Sequence, residues 1–399
     1  MSLKTVAILV TAVVALATPV MAEDAAPGVT ATSIKLGNTA PYSGPASAYA
    51  TIAKAGLAYF DMINQAGGIH GRKVEIISLD DAFTPPKAVE QTRKLVDSDN
   101  VLAIFLPIGT PTSAATQAYL NSNKVPQLLV SSGASRWNQP RKFPWTVGWN
   151  VDYVTEGRIY AKYILANVKE PKIALLYQND DYGKDILAGL KQGLGDQQAA
   201  LVQAATYELS DPTVDSPIAK LRHSGANVFI SATTPKFAAQ SIKVVDQLGW
   251  KPLFVLPSVS NSVDPVLTSA GLDKSAGIIS TSYVKQPTDP QWQNDPDFKT
   301  WSAFMDKYYP SGSKKDWLNA YAYGMSYVMH QALEKAGKNL TRETLMAAME
   351  SVRDLQVPML IPGITATITK DDHGPLKAMQ MMKFNGESWE PLGGIVSAD

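Results

Sequence analysis

The feature that most constrains this chain is a strand–loop–helix–strand–loop pattern across residues 102–137. Two short apolar runs, 102–106 and 125–130, flank a segment with helical spacing. In such a βαβ unit, the loops after parallel strands lie side by side at one edge of the sheet, where open α/β sheets bind ligands. The loops 109–112 and 132–135, rich in Ser, Thr and Gly, therefore predict either ordinary helix caps or an anion site made of hydroxyls and backbone N–H groups.

The same alternation of strands and helices runs through the chain in two successive series. The first series has strands over 34–38 and 74–79, followed by helices over 49–65 and 86–97. The second series begins with a strand over 173–177 and continues to a strand over 278–284, with helices between. Two complete series predict the α/β fold class, with two doubly wound, Rossmann-like lobes.

Residues 1–22 have the composition of a secretory signal peptide. Lys4 precedes a nearly continuous apolar run over 6–17, and small residues at 20 and 22 suit a cleavage site. A transmembrane helix is the alternative, but the apolar run is short for a membrane span and Pro19 interrupts it. We therefore expect export to the periplasm. The chain has no cysteine, which excludes disulfides and lipid attachment through a lipobox cysteine.

Composition and motifs give no support for an enzyme. The formal net charge is zero, so a nucleic-acid partner is not expected. The sequence lacks GxGxxG, GxxxxGK[ST], HExxH and GxSxG, and its four histidines are widely separated. The pairs Asp80-Asp81 and Asp180-Asp181 follow strands, where carboxylates commonly stabilise helix N-termini, with metal binding as the alternative. We expect no catalysis, no cofactor and no metal.

Several short motifs occur in a fixed order along the chain. They are PYSGP at 41–45, NQAGGIHGR at 64–72, the pair Asp80-Asp81, SGAS at 132–135, TEG at 155–157, AKYI at 161–164 and Tyr182-Gly183. This ordered set resembles the type I periplasmic solute-binding proteins of the branched-chain amino acid (Leu/Ile/Val) ABC importers.

The resemblance implies the type I periplasmic binding protein fold, with three crossovers near 148–152, 280–283 and 361–365. Lobe 1 would comprise 23–150 and 282–362, and lobe 2 would comprise 151–281 and 363–399. The expected protein is a monomer that closes on a small-molecule ligand between its lobes and delivers it to permease subunits in the inner membrane.

The resemblance also implies candidate ligand-binding residues. In the family, hydroxyls and backbone N–H groups from two loops of the first lobe hold the carboxylate of the ligand. Ser135 matches that pattern directly. Gly133 supplies a backbone carbonyl position, and Ala134 lies between Gly133 and Ser135. The second loop contributes Thr110 or Thr112. The aromatic positions of the family fall at Tyr49 and Tyr182, with Thr233 near another.

Two departures from the family bear on the ligand. Amino-acid binders hold the ammonium group with an acidic residue where this chain has Ser258. At a second acidic position of the family, near the hinge, this chain has Tyr153. Burying an ammonium group without a paired charge would be costly. The expected site adds Tyr49, Trp149, Tyr182 and Tyr283, with Tyr321 as a weaker candidate. We therefore predict a small carboxylate ligand, with an aromatic body as one option.

Two alternatives remain open. The first is an ordinary Leu/Ile/Val-binding protein that uses Asp180 or Asp181 to hold the amine. The second is an exported ligand-sensing domain built on the same lobes.

Overall fold

The computed structural model describes residues 26–397. The predicted signal peptide, residues 1–22, lies outside this range. The strands are β1 Ser33–Ala40, β2 Lys73–Asp80, β3 Ala103–Phe105, β4 Gln127–Val130, β5 Thr146–Gly148, β6 Ile173–Gln178, β7 Leu201–Tyr207, β8 Val228–Ala232, β9 Leu253–Val255, β10 Ile279–Ser282, β11 Ala378–Phe384 and β12 Trp389–Ser397. The helices are α1 Ala50–Gln65, α2 Pro85–Arg93, α3 Thr110–Ser122, α4 Tyr153–Asn167, α5 Asp181–Leu194, α6 Asp215–His223, α7 Pro235–Gln247, α8 Leu272–Ser275, α9 Pro296–Tyr308, α10 Trp317–Ala336 and α11 Arg342–Met349.

The strands form two sheets, each the centre of one lobe. The first sheet is entirely parallel, in the order β2-β1-β3-β4-β5. The second has the order β12-β11-β10-β9-β8-β6-β7 and is parallel except where β11 pairs with β10 and β12. The prediction of two doubly wound α/β lobes is confirmed.

Local sequence explains where many of the helices begin. Side chains of Asp152, Asp180, Asp295 and Asp316 each accept a hydrogen bond from a backbone N–H in the first turn of α4, α5, α9 and α10. In α2, proline occupies the first turn, where its missing N–H costs no hydrogen bond. Within residues 26–397, no helix has the length and apolar character needed to cross a membrane.

The chain passes between the lobes three times, between β5 and α4, between β10 and α9, and between α11 and β11. The second and third crossings run beside each other, because Val284 pairs with Leu360 and the Lys285 N–H donates to the Met359 carbonyl at 2.8 Å. Helices α9 and α10 pack against α1, which returns them to the first lobe. The residue-level lobe boundaries stay predictions.

Candidate functional site

A cavity lies between the two lobes, and its empty space, with the part open to solvent included, is about 480 Å³. The lining residues come from both lobes and are Tyr49, Ile52, Phe83, Ile108, Gly109, Thr110, Ser131, Asn150, Tyr153, Gln178, Tyr182, Thr234, Val259, Trp317, Leu318 and Tyr321.

The topology of the two sheets accounts for the position of this cavity. In the first sheet the strand order reverses at β1 and β3, and in the second it reverses at β6 and β8. Open α/β sheets bind ligands at such switch points, because the loops beyond the strand ends diverge there and leave a crevice. Tyr49 and Thr110 follow β1 and β3, whereas Tyr182 and Thr234 follow β6 and β8. The cavity thus lies where the switch points of both lobes face each other.

Hydrogen bonds across the cleft hold the lobes together around the cavity. The Tyr49 hydroxyl of lobe 1 donates to the Val259 carbonyl of lobe 2 at 3.1 Å. The Ser262 hydroxyl donates to Asp316 at the start of α10 at 2.7 Å. An ion pair between Arg136 and Asp181, at 2.8 Å, adds a contact near the edge of the cleft. The structure is therefore a closed form of the two-lobed molecule.

The start of α3 is suited to binding an anion. Gly109 precedes the helix with φ of 99°, and no side chain caps its first backbone N–H groups. Thr110, the first residue of α3, lines the cavity, and its hydroxyl lies 2.7 Å from that of Ser132. A helix N-terminus carries a partial positive charge that favours a negatively charged ligand. By contrast, Asp180 and Asp316 already cap α5 and α10.

No Asp, Glu, His, Lys or Arg is among the described residues that line the cavity. Asp180 and Asp181, the candidate partners for an amine in the sequence, already interact with other groups of the protein. Asp180 accepts hydrogen bonds from the Gly183 N–H at 3.3 Å and the Gln178 amide at 2.6 Å, and burial raises its pKa to about 6. Asp181 pairs with Arg136. Within residues 26–397, no group of three or more His, Cys, Asp or Glu side chains could hold a metal ion.

The tyrosine hydroxyls in the wall are neutral hydrogen-bonding partners. Burial raises the pKa of Tyr49, Tyr153 and Tyr182 above the ordinary value for a phenol, because the charged form would be desolvated. The polar groups that the cavity offers to a ligand are therefore uncharged.

The structure brings four of the twelve candidate residues to the cavity wall: Tyr49, Thr110, Tyr153 and Tyr182. The rings of Tyr153 and Tyr182 pack against each other with centroids 4.7 Å apart. The choice between Thr110 and Thr112 falls to Thr110 as the lining residue. Thr112 is buried, and its hydroxyl donates to the Ile108 carbonyl at 2.7 Å, because the side chain turns back onto the residues that precede α3.

The loop 133–135 does not line the cavity. The Gly133 carbonyl accepts the Tyr153 N–H at 2.7 Å, and the Ala134 N–H donates to the Ser132 hydroxyl at 3.2 Å. The backbone N–H and hydroxyl of Ser135 donate to the Asp185 carboxylate of lobe 2, at 2.7 and 3.2 Å. Ser135 therefore contributes to the contact between the lobes.

The remaining candidates also lie behind the wall. Trp149 and Tyr283 are fully buried, and Tyr283 packs against Trp317 and Tyr321. The Thr233 hydroxyl lies 3.0 Å from that of Ser231, while the next residue, Thr234, lines the cavity.

Ser258 has a partner that the sequence did not suggest. Its backbone N–H and hydroxyl donate to the buried Glu156 carboxylate at 2.7 and 3.2 Å. Tyr160 and Thr281 donate to the same carboxylate, at 2.6 and 2.9 Å. Burial raises the pKa of Glu156, and these hydrogen bonds oppose that effect. Ser258 thus supports the wall of the cleft from behind, and its neighbour Val259 lines the cavity.

Several lining residues were not predicted from the sequence. Trp317 and Leu318 begin α10, and the Asp316 cap that precedes them was the available signal. Tyr321, the weaker candidate, lines the cavity; its hydroxyl donates to Asn150 at 2.7 Å and lies 2.9 Å from the Ser131 hydroxyl. No local motif marks Asn150 or Ser131 as site residues.

Together, the two switch-point lobes and the cavity between them define a two-lobed ligand-binding protein. The sequence profile of the periplasmic binding protein family matches residues 33–388, and the chain belongs to that family. It is a type I periplasmic binding protein of the branched-chain amino acid family, as the resemblance predicted. Members of this family are periplasmic solute-binding proteins that serve ABC transporters.

Three comparisons illustrate the relationship. A Leu/Ile/Val-binding protein homolog 1 of Brucella abortus is 26% identical over 316 residues, which cover 78% of this chain and 80% of the relative. A branched-chain amino acid ABC transporter protein of Thermus thermophilus, solved with bound valine, has a TM-score of 0.83 at 14% identity, covering 92% of this chain and 97% of that one. A fatty acid ABC transporter substrate-binding protein of Thermomonospora curvata has a TM-score of 0.80 at 20% identity, covering 94% of each chain. At these identities the two solved structures establish the fold alone.

Proposed function

We propose that this protein is the ligand-binding component of an ABC importer and that it holds a small carboxylate with an apolar or aromatic body between its lobes. The observation that carries the proposal is a cavity between the lobes whose described lining residues include no charged side chain, beside the uncapped N-terminus of α3. The helix end favours the carboxylate, and Thr110 adds a hydroxyl. Tyr49, Tyr153, Tyr182 and the lining residue Phe83 surround the body of the ligand.

The absence of a lining carboxylate among the described residues argues against an amino-acid ligand. An α-amino acid brings an ammonium group that must find a charged or strongly polar partner when it is desolvated. Asp180 and Asp181 are engaged within the protein, and Glu156 lies behind Ser258. The Thermomonospora curvata neighbour is named for fatty acid transport, so the same fold is associated with a carboxylate that lacks an ammonium group.

The second candidate is a Leu/Ile/Val-binding protein, and the names of the relatives favour it. In that case an ammonium group would have to reach Glu156 or Asp180 after a rearrangement of the hydrogen bonds described above.

We also propose that residues 1–22 are removed on export, so that the mature chain begins at Glu23.

Calorimetric titration with two ligand panels tests the proposal. The first panel contains aromatic and aliphatic monocarboxylates, and the second contains leucine, isoleucine and valine. We expect micromolar or tighter binding from the first panel and weak or no binding from the second. Micromolar binding of any of the three amino acids would refute the carboxylate proposal in favour of the second candidate.

A further inference from the structure

Two residues that line the cavity each carry a buried hydrogen-bond donor with no partner among the described residues. The donors are the Tyr182 hydroxyl and the Trp317 indole Nε1. Both side chains are 3% exposed, and they come from opposite lobes, at the first turns of α5 and α10. Leaving a buried donor unpaired costs free energy, so each such donor beside a ligand cavity calls for a partner.

Several neighbouring polar groups in the same wall are already hydrogen-bonded within the protein. The Tyr49 hydroxyl donates across the cleft to Val259, and the Tyr321 hydroxyl donates to Asn150. The Gln178 amide donates to Asp180, and its carbonyl accepts from the Tyr207 hydroxyl at 2.9 Å. Tyr182 and Trp317 therefore differ from these neighbours in what they can offer to a ligand.

The chemistry of the two donors restricts the ligand group that they meet. An indole N–H can only donate, so the atom facing Trp317 must be an acceptor. A phenol hydroxyl can donate or accept, so Tyr182 can pair with an oxygen that accepts a hydrogen bond or with a hydroxyl that donates one. An aliphatic or phenyl body without oxygen would leave both donors unpaired inside the closed cleft.

We propose that the ligand carries, besides its carboxylate, at least one neutral oxygen, as a hydroxyl, ether or keto group, that pairs with Trp317 and Tyr182. This inference rests on the proposed function, because it assigns the carboxylate to the start of α3. It narrows the ligand class from carboxylates with an apolar body to oxygenated carboxylates.

Matched ligand pairs test the inference by calorimetry. Each pair differs in one oxygen, for example 4-hydroxybenzoate against benzoate, 4-methoxybenzoate against 4-ethylbenzoate, and a keto acid against its saturated parent. We expect the oxygenated member of at least one pair to bind at least roughly tenfold more tightly, because it satisfies a buried donor.

Conservative variants identify the donors. Trp317→Phe and Tyr182→Phe keep a ring in place and remove the donor, so each should lower the ratio of the two affinities within a pair, beyond any change that affects both members equally. Trp301→Phe is the matched control, because Trp301 is buried with an unpartnered Nε1 but does not line the cavity. Its preference should equal that of the wild type.

The outcomes separate the two proposals. If plain carboxylates bind and no pair shows a preference, the inference fails and the proposed function stands. A preference that survives both Phe variants also overturns the inference. An equal loss of affinity for both members of a pair overturns it as well, because that result would mean that the donors bind the carboxylate. If no carboxylate binds, the proposed function fails and the inference fails with it.

Discussion

At the residue scale, the hydrogen bonds of Ser258 change the expected effect of placing an acid there. The family pattern suggested that a carboxylate at this position would contact the ligand. In the structure, Ser258 instead donates twice to Glu156, which is fully buried and already accepts from Tyr160 and Thr281. A second carboxylate at this position would face a buried carboxylate of the same charge.

We therefore predict that Ser258→Glu destabilises the ligand-free protein, by about 3 kcal/mol or more, through repulsion and an unpaired buried charge. Ser258→Ala is the control and should cost only about 1 kcal/mol, because the backbone N–H still donates to Glu156. Denaturant unfolding of both variants measures the difference. Equal losses would contradict this account, and Glu156→Gln should partly restore the stability of Ser258→Glu.

At the element scale, the turn before α3 joins the backbone to an aromatic wall of the cavity. Gly109 adopts φ of 99°, and a Cβ atom there would lie 2.2 Å from Cε2 of Phe83. Phe83 lines the cavity and its ring packs near that of Tyr49, with centroids 6.1 Å apart. The turn therefore requires glycine both for its conformation and for the close approach of Phe83.

We predict that Gly109→Ala weakens ligand binding at least severalfold, because Phe83 must move. Gly67→Ala is the matched control, since Gly67 has φ of 111° but a Cβ atom there would meet no other atom within 4 Å. Both variants should lose about 1 kcal/mol of stability from the positive φ, and Gly109→Ala should lose more because its Cβ atom clashes with Phe83. Unfolding and calorimetry on both measure stability and affinity separately. Unchanged affinity in Gly109→Ala would show that the position of Phe83 does not matter for binding.

The elements themselves were predicted to different extents. The regular alternation in residues 34–284 predicted the strands of both sheets and the helices between them, including α1, because buried strands and amphipathic helices have distinct apolar spacings. The strand pair β11–β12 and helix α11 were not identified. Strand β12 contains Pro391, Gly393 and Gly394, which weaken a strand pattern, and they are tolerated here because β12 lies at the edge of the sheet.

At the scale of the whole molecule, the contacts between the lobes define the closed form. Ser135 donates to Asp185, Arg136 pairs with Asp181, and Tyr49 donates to Val259. Hinge closure of this kind depends on the difference in free energy between the open and closed forms. Interlobe pairs therefore change the affinity for a ligand without touching it.

We predict that Ser135→Ala weakens binding only a fewfold, through loss of closure, because the pair with Asp185 is partly exposed and the backbone N–H remains. In a double-mutant cycle with Asp185→Ala, the two effects should be strongly non-additive. Calorimetry measures the cycle, and small-angle scattering should show a smaller radius of gyration when the wild type binds ligand. Additive losses would instead indicate that Ser135 contacts the ligand directly.

The sequence by itself determined the two-lobed α/β fold and the loops that surround the cleft, because apolar periodicity and ordered motifs are local properties of the chain. It did not determine which residue of each loop faces the cavity. Thr234 lines the wall where Thr233 was expected, and Val259 lines it in place of Ser258. A shift of one residue along a loop replaces a side chain that lines the cavity with one that packs behind it. Which residue faces the cavity depends on partners such as Glu156, which are distant in sequence. Trp317 reaches the cavity only because the second crossover returns α10 to the first lobe, so the lining of the cleft was decided by the tertiary structure.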